Sequence, residues 1–206
     1  APYLNGLPAL FNFDLSAAIN SVVKAGMDTI GLVRKYKEIT DYYKSVNSDY
    51  LDATFLSNHD QNRVMSQLND DPQRMRVAAG ILLTLPGTPF IYYGEEIGMK
   101  NITAESPEEI IDIQGITQYR LALDLGKNPE DALLEGNEYN RDKSRSPMQW
   151  NDHVNAGFSI SKPWIKINEN YRTVNVETLM ADKNSIWNAY RDLIMLRNRE
   201  KVLHYG

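Results

Sequence analysis

Ile19, Val22 and Val23 recur at the spacing of one helical face, and Ile30, Val33, Tyr36, Ile39 and Tyr43 repeat near the same 3.6-residue period. Two helices are therefore predicted early in the chain, the first capped by Asp14 or Ser16 through a side-chain oxygen that accepts a backbone N–H. Asp70-Asp71-Pro72 predicts a third helix start, since proline at the first helical position has no N–H to leave unpaired. That helix carries Met75, Ala78, Ala79, Leu82 and Leu83 and stops at Pro86-Gly87. A weaker helical pattern covers residues 116–125. A last helix begins near Ser185, with Ile186, Trp187, Tyr190, Leu193 and Ile194 on one face. The cations within 197–201 suit the negative end of its dipole.

Between these helices lie runs of β-formers at 10–13, 51–57 and 90–93. The last, Phe90-Ile91-Tyr92-Tyr93, is apolar throughout, as expected of a strand covered on both faces in a parallel sheet. The order strand–helix–strand–helix–strand, then a long stretch rich in Asp, Glu and Asn, then a helix, argues for parallel α/β packing. Three strands make a thin sheet with two bare edges. The first residues carry no leader pattern, and the chain reads as a portion of something longer.

Composition narrows the chemistry. The 206 residues are 42% hydrophobic and 24% charged, which excludes collagen-like and wholly disordered chains. Twenty-seven acidic against 22 basic side chains give a net charge of -5, without the basic footprint of a nucleic-acid binder. The absence of cysteine excludes disulfides, thiolate metal sites and a thiol nucleophile, but assigns no compartment. No apolar run approaches the ~20 residues of a membrane span.

The sharpest feature is Phe55-Leu56-Ser57-Asn58-His59-Asp60-Gln61-Asn62-Arg63, placed where a strand ends. In parallel barrels and open sheets ligands meet the carboxyl ends of strands. An imidazole beside a carboxylate can grip neighbouring hydroxyls, one donating and one accepting. The competing reading is a capping aspartate with a hydrogen-bonded histidine. A His-Asp metal site would need further histidines, and only His153 and His204 remain.

This segment, followed by Leu85-Pro86-Gly87-Thr88-Pro89-Phe90-Ile91-Tyr92-Tyr93-Gly94-Glu95-Glu96-Ile97-Gly98-Met99, resembles the α-amylase family, glycoside hydrolase family 13. Ser144-Arg145-Ser146-Pro147-Met148-Gln149-Trp150 resembles its oligo-1,6-glucosidase, α-glucosidase and trehalose-synthase-like branch. The resemblance implies the C-terminal part of a (β/α)8 TIM barrel, about three βα units, with residues 1–206 a partial catalytic domain. It further implies an insert, 95–182, between the eighth strand and its helix on the sugar-binding face.

By the same resemblance Asp60 is the carboxylate that stabilises the transition state of a retaining cleavage of α-glucosidic bonds in glucans or oligosaccharides. Asn58 and His59 bind sugar hydroxyls beside it. Arg141 contacts the non-reducing glucose, or alternatively pairs with Asp142 or Asp152 at the surface. Arg63 orients the motif or reaches a ligand. Glu95 and Glu96 are structural, Trp150 is buried, and Phe11, Phe13, Tyr92 and Tyr93 are core. No metal or other cofactor is implied. The nucleophile and acid match nothing here, so the isolated chain is expected to be inactive. It is expected to self-associate through its exposed sheet edges. Exo-acting cleavage, transglycosylation to trehalose-type sugars and a non-catalytic binding or assembly module are the alternative functions.

Overall fold

The computed structural model describes residues 2–205. Its centre is a three-stranded parallel sheet of β1 (Ala9–Phe11), β2 (Leu51–Phe55) and β3 (Thr88–Phe90), in that spatial order. Register places Phe11 beside Ala53, and Phe55 beside Phe90. Helices α1 (Phe13–Ala25) and α2 (Leu32–Val46) join β1 to β2. Helices α3 (Val64–Gln67) and α4 (Pro72–Thr84) join β2 to β3. After β3 come α5 (Ile113–Asp124), α6 (Pro129–Tyr139), α7 (Val176–Ala181), α8 (Ile186–Arg199) and α9 (Val202–Tyr205). Among the described residues no helix is long and apolar enough to cross a membrane.

One face of the sheet is covered and the other is half open. The main core joins Leu15, Ile19 and Val23 of α1 to Met75, Ala79 and Leu82 of α4 and Tyr190 of α8. Burying each large side chain of this kind contributes about 1.5–3 kcal/mol. On the other face Phe11, Phe55 and Phe90 form an edge-to-face layer, with Phe11 4.7 Å from Phe90 and 5.7 Å from Phe55. Phe13 adds a further edge contact on Phe55 at 4.9 Å. Phe11, Phe13 and Tyr93 remain well exposed and Tyr92 is half-buried, so the expectation that these four are core is corrected. Phe13, Tyr92 and Tyr93 lie beyond the strand ends, and the sheet face that Phe11 shares is only partly covered by the described residues.

Several boundaries also differ. Phe13 opens α1 instead of ending a strand, because Asn12 is the cap: its Oδ1 accepts the Leu15 N–H at 2.9 Å. Ser16 is buried and donates to the Leu56 carbonyl, so it caps nothing. Strand β2 ends at Phe55, two residues short of expectation. Residues 91–93 leave the sheet, and Pro89 sits within β3, an edge strand where a missing N–H is tolerated. Helix α5 begins at Ile113 and not near 116. Helix α6 was not anticipated, although Asn128-Pro129-Glu130-Asp131 is a capped, acidic start. It packs on α5 through Gly115 and Gly136, where a Cβ on Gly115 would lie 2.7 Å from Ile110 and 3.0 Å from the Gly136 carbonyl.

Arg197 is the largest departure in role. It is buried, and its guanidinium donates to the carbonyls of Leu83, Leu85 and Gly87 at 2.9, 2.8 and 2.6 Å. It therefore fastens the turn between α4 and β3 and does not serve its own helix dipole. Gly87 in that turn has φ +108°, and a Cβ there would lie 2.4 Å from the Asp52 carbonyl oxygen. Gly87→Ala is expected to cost about 2–4 kcal/mol of unfolding free energy, from backbone strain plus the clash. Urea denaturation measures it, and a loss below about 0.5 kcal/mol would contradict this packing.

Candidate active site

The loop after β2 presents its polar residues by a local turn. Asn58 Oδ1 accepts the Asp60 N–H at 2.9 Å, and the Gln61 N–H donates to the Asn58 carbonyl at 3.2 Å. This Asx turn projects His59 and Asp60 outward, and both are exposed. His59 Nε2 lies 3.5 Å from Asp60 Oδ2. Asn101 then clamps the end of the loop, accepting the Arg63 N–H at 2.8 Å and donating to Asn62 Oδ1 at 2.9 Å.

Arg63 lies beneath this loop and is 2% exposed. Its guanidinium donates to the Tyr93 carbonyl at 2.8 Å and to the Ser146 carbonyl at 3.4 Å. It stacks near the rings of Tyr92 and Tyr93, 5.3 and 4.9 Å from their centroids. The two phenols reinforce the same junction, Tyr92 donating to the Ser144 carbonyl at 3.2 Å and Tyr93 to the Ser146 carbonyl at 2.8 Å. Burial lowers the Arg63 pKa, but a guanidinium stays protonated. Arg63 is thus buried and committed to backbone carbonyls rather than exposed in a cavity.

The junction carries a closed ring of charge. Arg145 Nη2 donates to Asp60 Oδ1 at 2.8 Å, and its Nε donates to the His59 carbonyl at 2.8 Å. Arg141 Nη1 reaches the same Asp60 oxygen at 3.3 Å. Asp112 binds Arg141 in a fork, at 2.6 Å from Nη2 and 2.8 Å from Nε. Asp142 faces Arg145 at 3.5 Å and accepts the Asp112 N–H at 2.7 Å, which closes the circuit. The Arg141 fork holds the Asp112 carboxyl down to about 2. The partner of Arg141 is thus Asp112 together with Asp60, and neither Asp142 nor Asp152 as the surface alternative supposed.

Asn58, His59, Asp60 and Arg141 lie together. Arg145, the nearer of the two arginines to Asp60, was noticed beside its motif but given no role, and Asp112 was missed. The signal for Arg145 was its spacing, four residues after Arg141 across the 3₁₀ turn Arg141–Ser144. Asp112 had no sequence signal beyond capping α5, since its partner lies 29 residues away. Among the described residues no cluster of three or more His, Asp or Glu side chains is placed to hold a metal ion.

Two cavities adjoin Asp60 and Arg145. One, of about 370 Å³, has a floor of Phe11, Phe55 and Phe90 and a polar edge of Asn58, His59 and Asp60. The other, of about 520 Å³, is apolar, lined by Met148, Trp150, Phe158 and Trp164 with Glu96 and Arg145 as its charged groups. Trp150 is 49% exposed there, so its expected burial is corrected. Glu95 is buried under this loop, and its Oε1 accepts the Tyr190 hydroxyl at 2.6 Å. Burial pushes its carboxyl up to about 8, and burial also raises Glu96.

Parallel strands joined by helices, with polar residues gathered beyond their carboxyl ends, define a parallel α/β unit. The chain matches the family profile described as alpha amylase, catalytic domain, over residues 4–206. An oligo-1,6-glucosidase of Parageobacillus thermoglucosidasius is 37% identical over 175 residues, 82% of this chain and 31% of that protein. Trehalose-6-phosphate hydrolase of Escherichia coli (strain K12) is 36% identical over 158 residues, 75% of this chain and 29% of that protein. The solved isomaltulose synthase mutant E295Q of Erwinia rhapontici NX5, in complex with sucrose, superposes with a TM-score of 0.76 at 32% identity, covering 98% of this chain and 37% of that one. The chain belongs to the α-amylase catalytic-domain family, on its α-glucosidase-like branch. It spans about a third of the length of the curated relatives it matches.

Two tests follow from this geometry. Arg63→Met is expected to destabilise the fold by about 3 kcal/mol, because buried carbonyls lose their donor; an unchanged urea midpoint would contradict the brace. Glu95 binds a proton more tightly folded than unfolded, so its contribution to stability is full below its ordinary value of 4.5 and is lost as pH rises towards about 8. Glu95→Gln should flatten that decline between pH 4.5 and 8 in denaturation curves. An identical slope in both proteins would place the titration elsewhere.

Proposed function

We propose that this chain supplies part of the active site of a retaining α-glucosidase that acts on short α-glucosyl oligosaccharides. The observation that carries the reading is the Asp60 carboxylate, exposed at the end of β2 and held on one oxygen by two arginines. Its Oδ2 faces the His59 imidazole, so an acceptor and a donor stand side by side for adjacent sugar hydroxyls. Asn58 shapes this pair through its turn and adds its own polar edge to the cavity. Arg145 and Arg141 keep the carboxylate oriented, and their guanidinium forks suit a terminal glucose. Arg63 acts through the junction it braces and is a positioning residue.

In a retaining cleavage an aspartate attacks the anomeric carbon while an acid protonates the leaving oxygen, through an oxocarbenium-like state. Hydrogen bonds that Asp60 accepts from, and His59 donates to, ring hydroxyls tighten as charge develops, and only such differential binding lowers the barrier. The nucleophile and acid are expected from a part of the enzyme other than residues 1–206, which leaves this chain inactive alone. In this reading residues 95–182 form the insert on the sugar-binding face, contributing both arginines. The relatives named as isomaltulose and trehalulose synthases favour transglycosylation as a second outcome at the same residues.

In the enzyme that contains this chain, Asp60→Asn is expected to lower kcat for p-nitrophenyl α-glucoside by roughly 10²-fold or more, with KM nearly unchanged. A rise in KM alone would assign Asp60 to ground-state binding. The exposed Phe11–Phe90 layer and the edges of β1 and β3 favour pairing with a second copy. Sedimentation of the 206-residue chain should show dimers or larger species, and a clean monomer at high concentration would contradict this.

A further inference from the structure

Glu95 is a titratable group that the proposed reaction leaves unused. It is buried one residue past Gly94, whose backbone runs so close to Arg63 that a Cβ there would lie 2.9 Å from the guanidinium. The Glu95 N–H donates to the Tyr92 carbonyl at 3.0 Å. Tyr92 in turn stacks near Arg63 and donates its hydroxyl to the Ser144 carbonyl at 3.2 Å. Glu95 therefore adjoins the junction that carries residues 144–146, and with them Arg145, to Asp60.

The groups that face its carboxyl come from three parts of the chain. Tyr190 of α8 donates its hydroxyl to Oε1 at 2.6 Å, whereas Oε2 is buried without a hydrogen-bond partner among the described residues. Arg63 acts from the loop after β2, and Glu96 and the Tyr92 backbone from the loop after β3. Burial and Glu96 oppose the charged form more strongly than Tyr190, Tyr92 and Arg63 favour it, so the carboxyl is pushed up to about 8. Once the proton leaves, a carboxylate faces a buried guanidinium whose Nε is unbonded among the described residues. Opposite charges attract strongly where water is excluded.

We propose that Glu95 is a positioning residue for Asp60 that works only as the neutral acid. Protonated, it leaves Arg63 on the Tyr93 and Ser146 carbonyls and the ring of arginines in place. Ionised, it draws Arg63 towards itself, frees Ser146, and so loosens Arg145 from Asp60. The competent state is therefore present below the Glu95 pKa and is lost as pH rises through about 8. The effect on catalysis rests on the proposed function, whereas the movement of the junction is a property of this chain alone.

The test is the pH profile of kcat/KM for p-nitrophenyl α-glucoside in the enzyme that contains this chain, for the wild type, Glu95→Gln and Tyr190→Phe, each relative to its own plateau. The wild type should fall about tenfold per pH unit on the alkaline side. Glu95→Gln cannot ionise, and its fall should begin about one pH unit higher or more. Tyr190→Phe removes a donor that favours the carboxylate, so its fall should also move upward, which keeps the test open if one variant fails to fold. Near-ultraviolet circular dichroism of the 206-residue chain, which reports the packing of tyrosines such as Tyr92 and Tyr93, should change as pH passes about 8 in the wild type and hold steady in Glu95→Gln. Alkaline limbs that coincide in all three proteins, or dichroism that responds alike in the wild type and Glu95→Gln, would overturn the proposal. Failure of the wild type to hydrolyse the glucoside would instead overturn the proposed function, and the dichroism would still decide whether the junction moves.

Discussion

Arg63 is the constraint on which the arrangement of this molecule depends. It is a buried cation with no carboxylate in hydrogen-bonding contact among the described residues, held by two backbone carbonyls and two tyrosine rings. Those partners come from two distant parts of the chain: Tyr92 and Tyr93 follow β3, and Ser146 belongs to the segment that carries the arginines. A charge placed so deeply is costly unless it is compensated; here both Nη groups donate to carbonyls, while Nε has no hydrogen-bond partner among the described residues. The geometry it imposes is correspondingly narrow. Gly94 has no room for a side chain, since a Cβ there would lie 2.9 Å from the guanidinium and 2.3 Å from Met99 Sδ.

The electrostatics of the site follow from that junction. With Ser146 fixed on Arg63, Arg145 is delivered to Asp60 and to the His59 carbonyl, and Arg141 follows one 3₁₀ turn earlier. Asp112 and Asp142 then neutralise the two arginines from behind. The result leaves one carboxylate oxygen committed and the other facing His59. An exposed ion pair alone contributes little stability, so the ring is better understood as an orienting device than as a source of folding energy. Preorganised charge of this kind lowers barriers because no reorganisation is needed when charge develops.

Much of this was legible in the sequence. The helices with strong caps and steady apolar periods, α4 and α8, begin where Asp71-Pro72 and Ser185 place them. Asn58-His59-Asp60 stood out because polar residues at a strand end have no packing purpose. Periodicity failed where tertiary partners override it. The run 90–93 has the composition of a strand, yet its tyrosines serve as the cradle of Arg63, a use visible only once residue 63 is beside them. Arg197 has the position of a dipole-capping cation, and the Pro86-Gly87 turn claims it instead. Asp112 and Arg145 escaped assignment because charge pairs between distant segments leave no local pattern. Phe11, Phe13, Tyr92 and Tyr93 looked like core because they fall in or beside runs of β-formers, and composition does not tell whether a sheet face is covered.

The account is tested most directly by the structure of the enzyme containing this chain with 1-deoxynojirimycin, a cationic mimic of a glucosyl ring, bound. Neighbouring ring hydroxyls should lie within hydrogen-bond distance of Asp60 Oδ2 and His59 Nε2, while Arg141 and Arg145 remain on Asp60 Oδ1. A sugar mimic bound without contact to Asp60, or an Asp60 carboxylate turned away from both arginines, would contradict the claim that this ring of charge prepares the site.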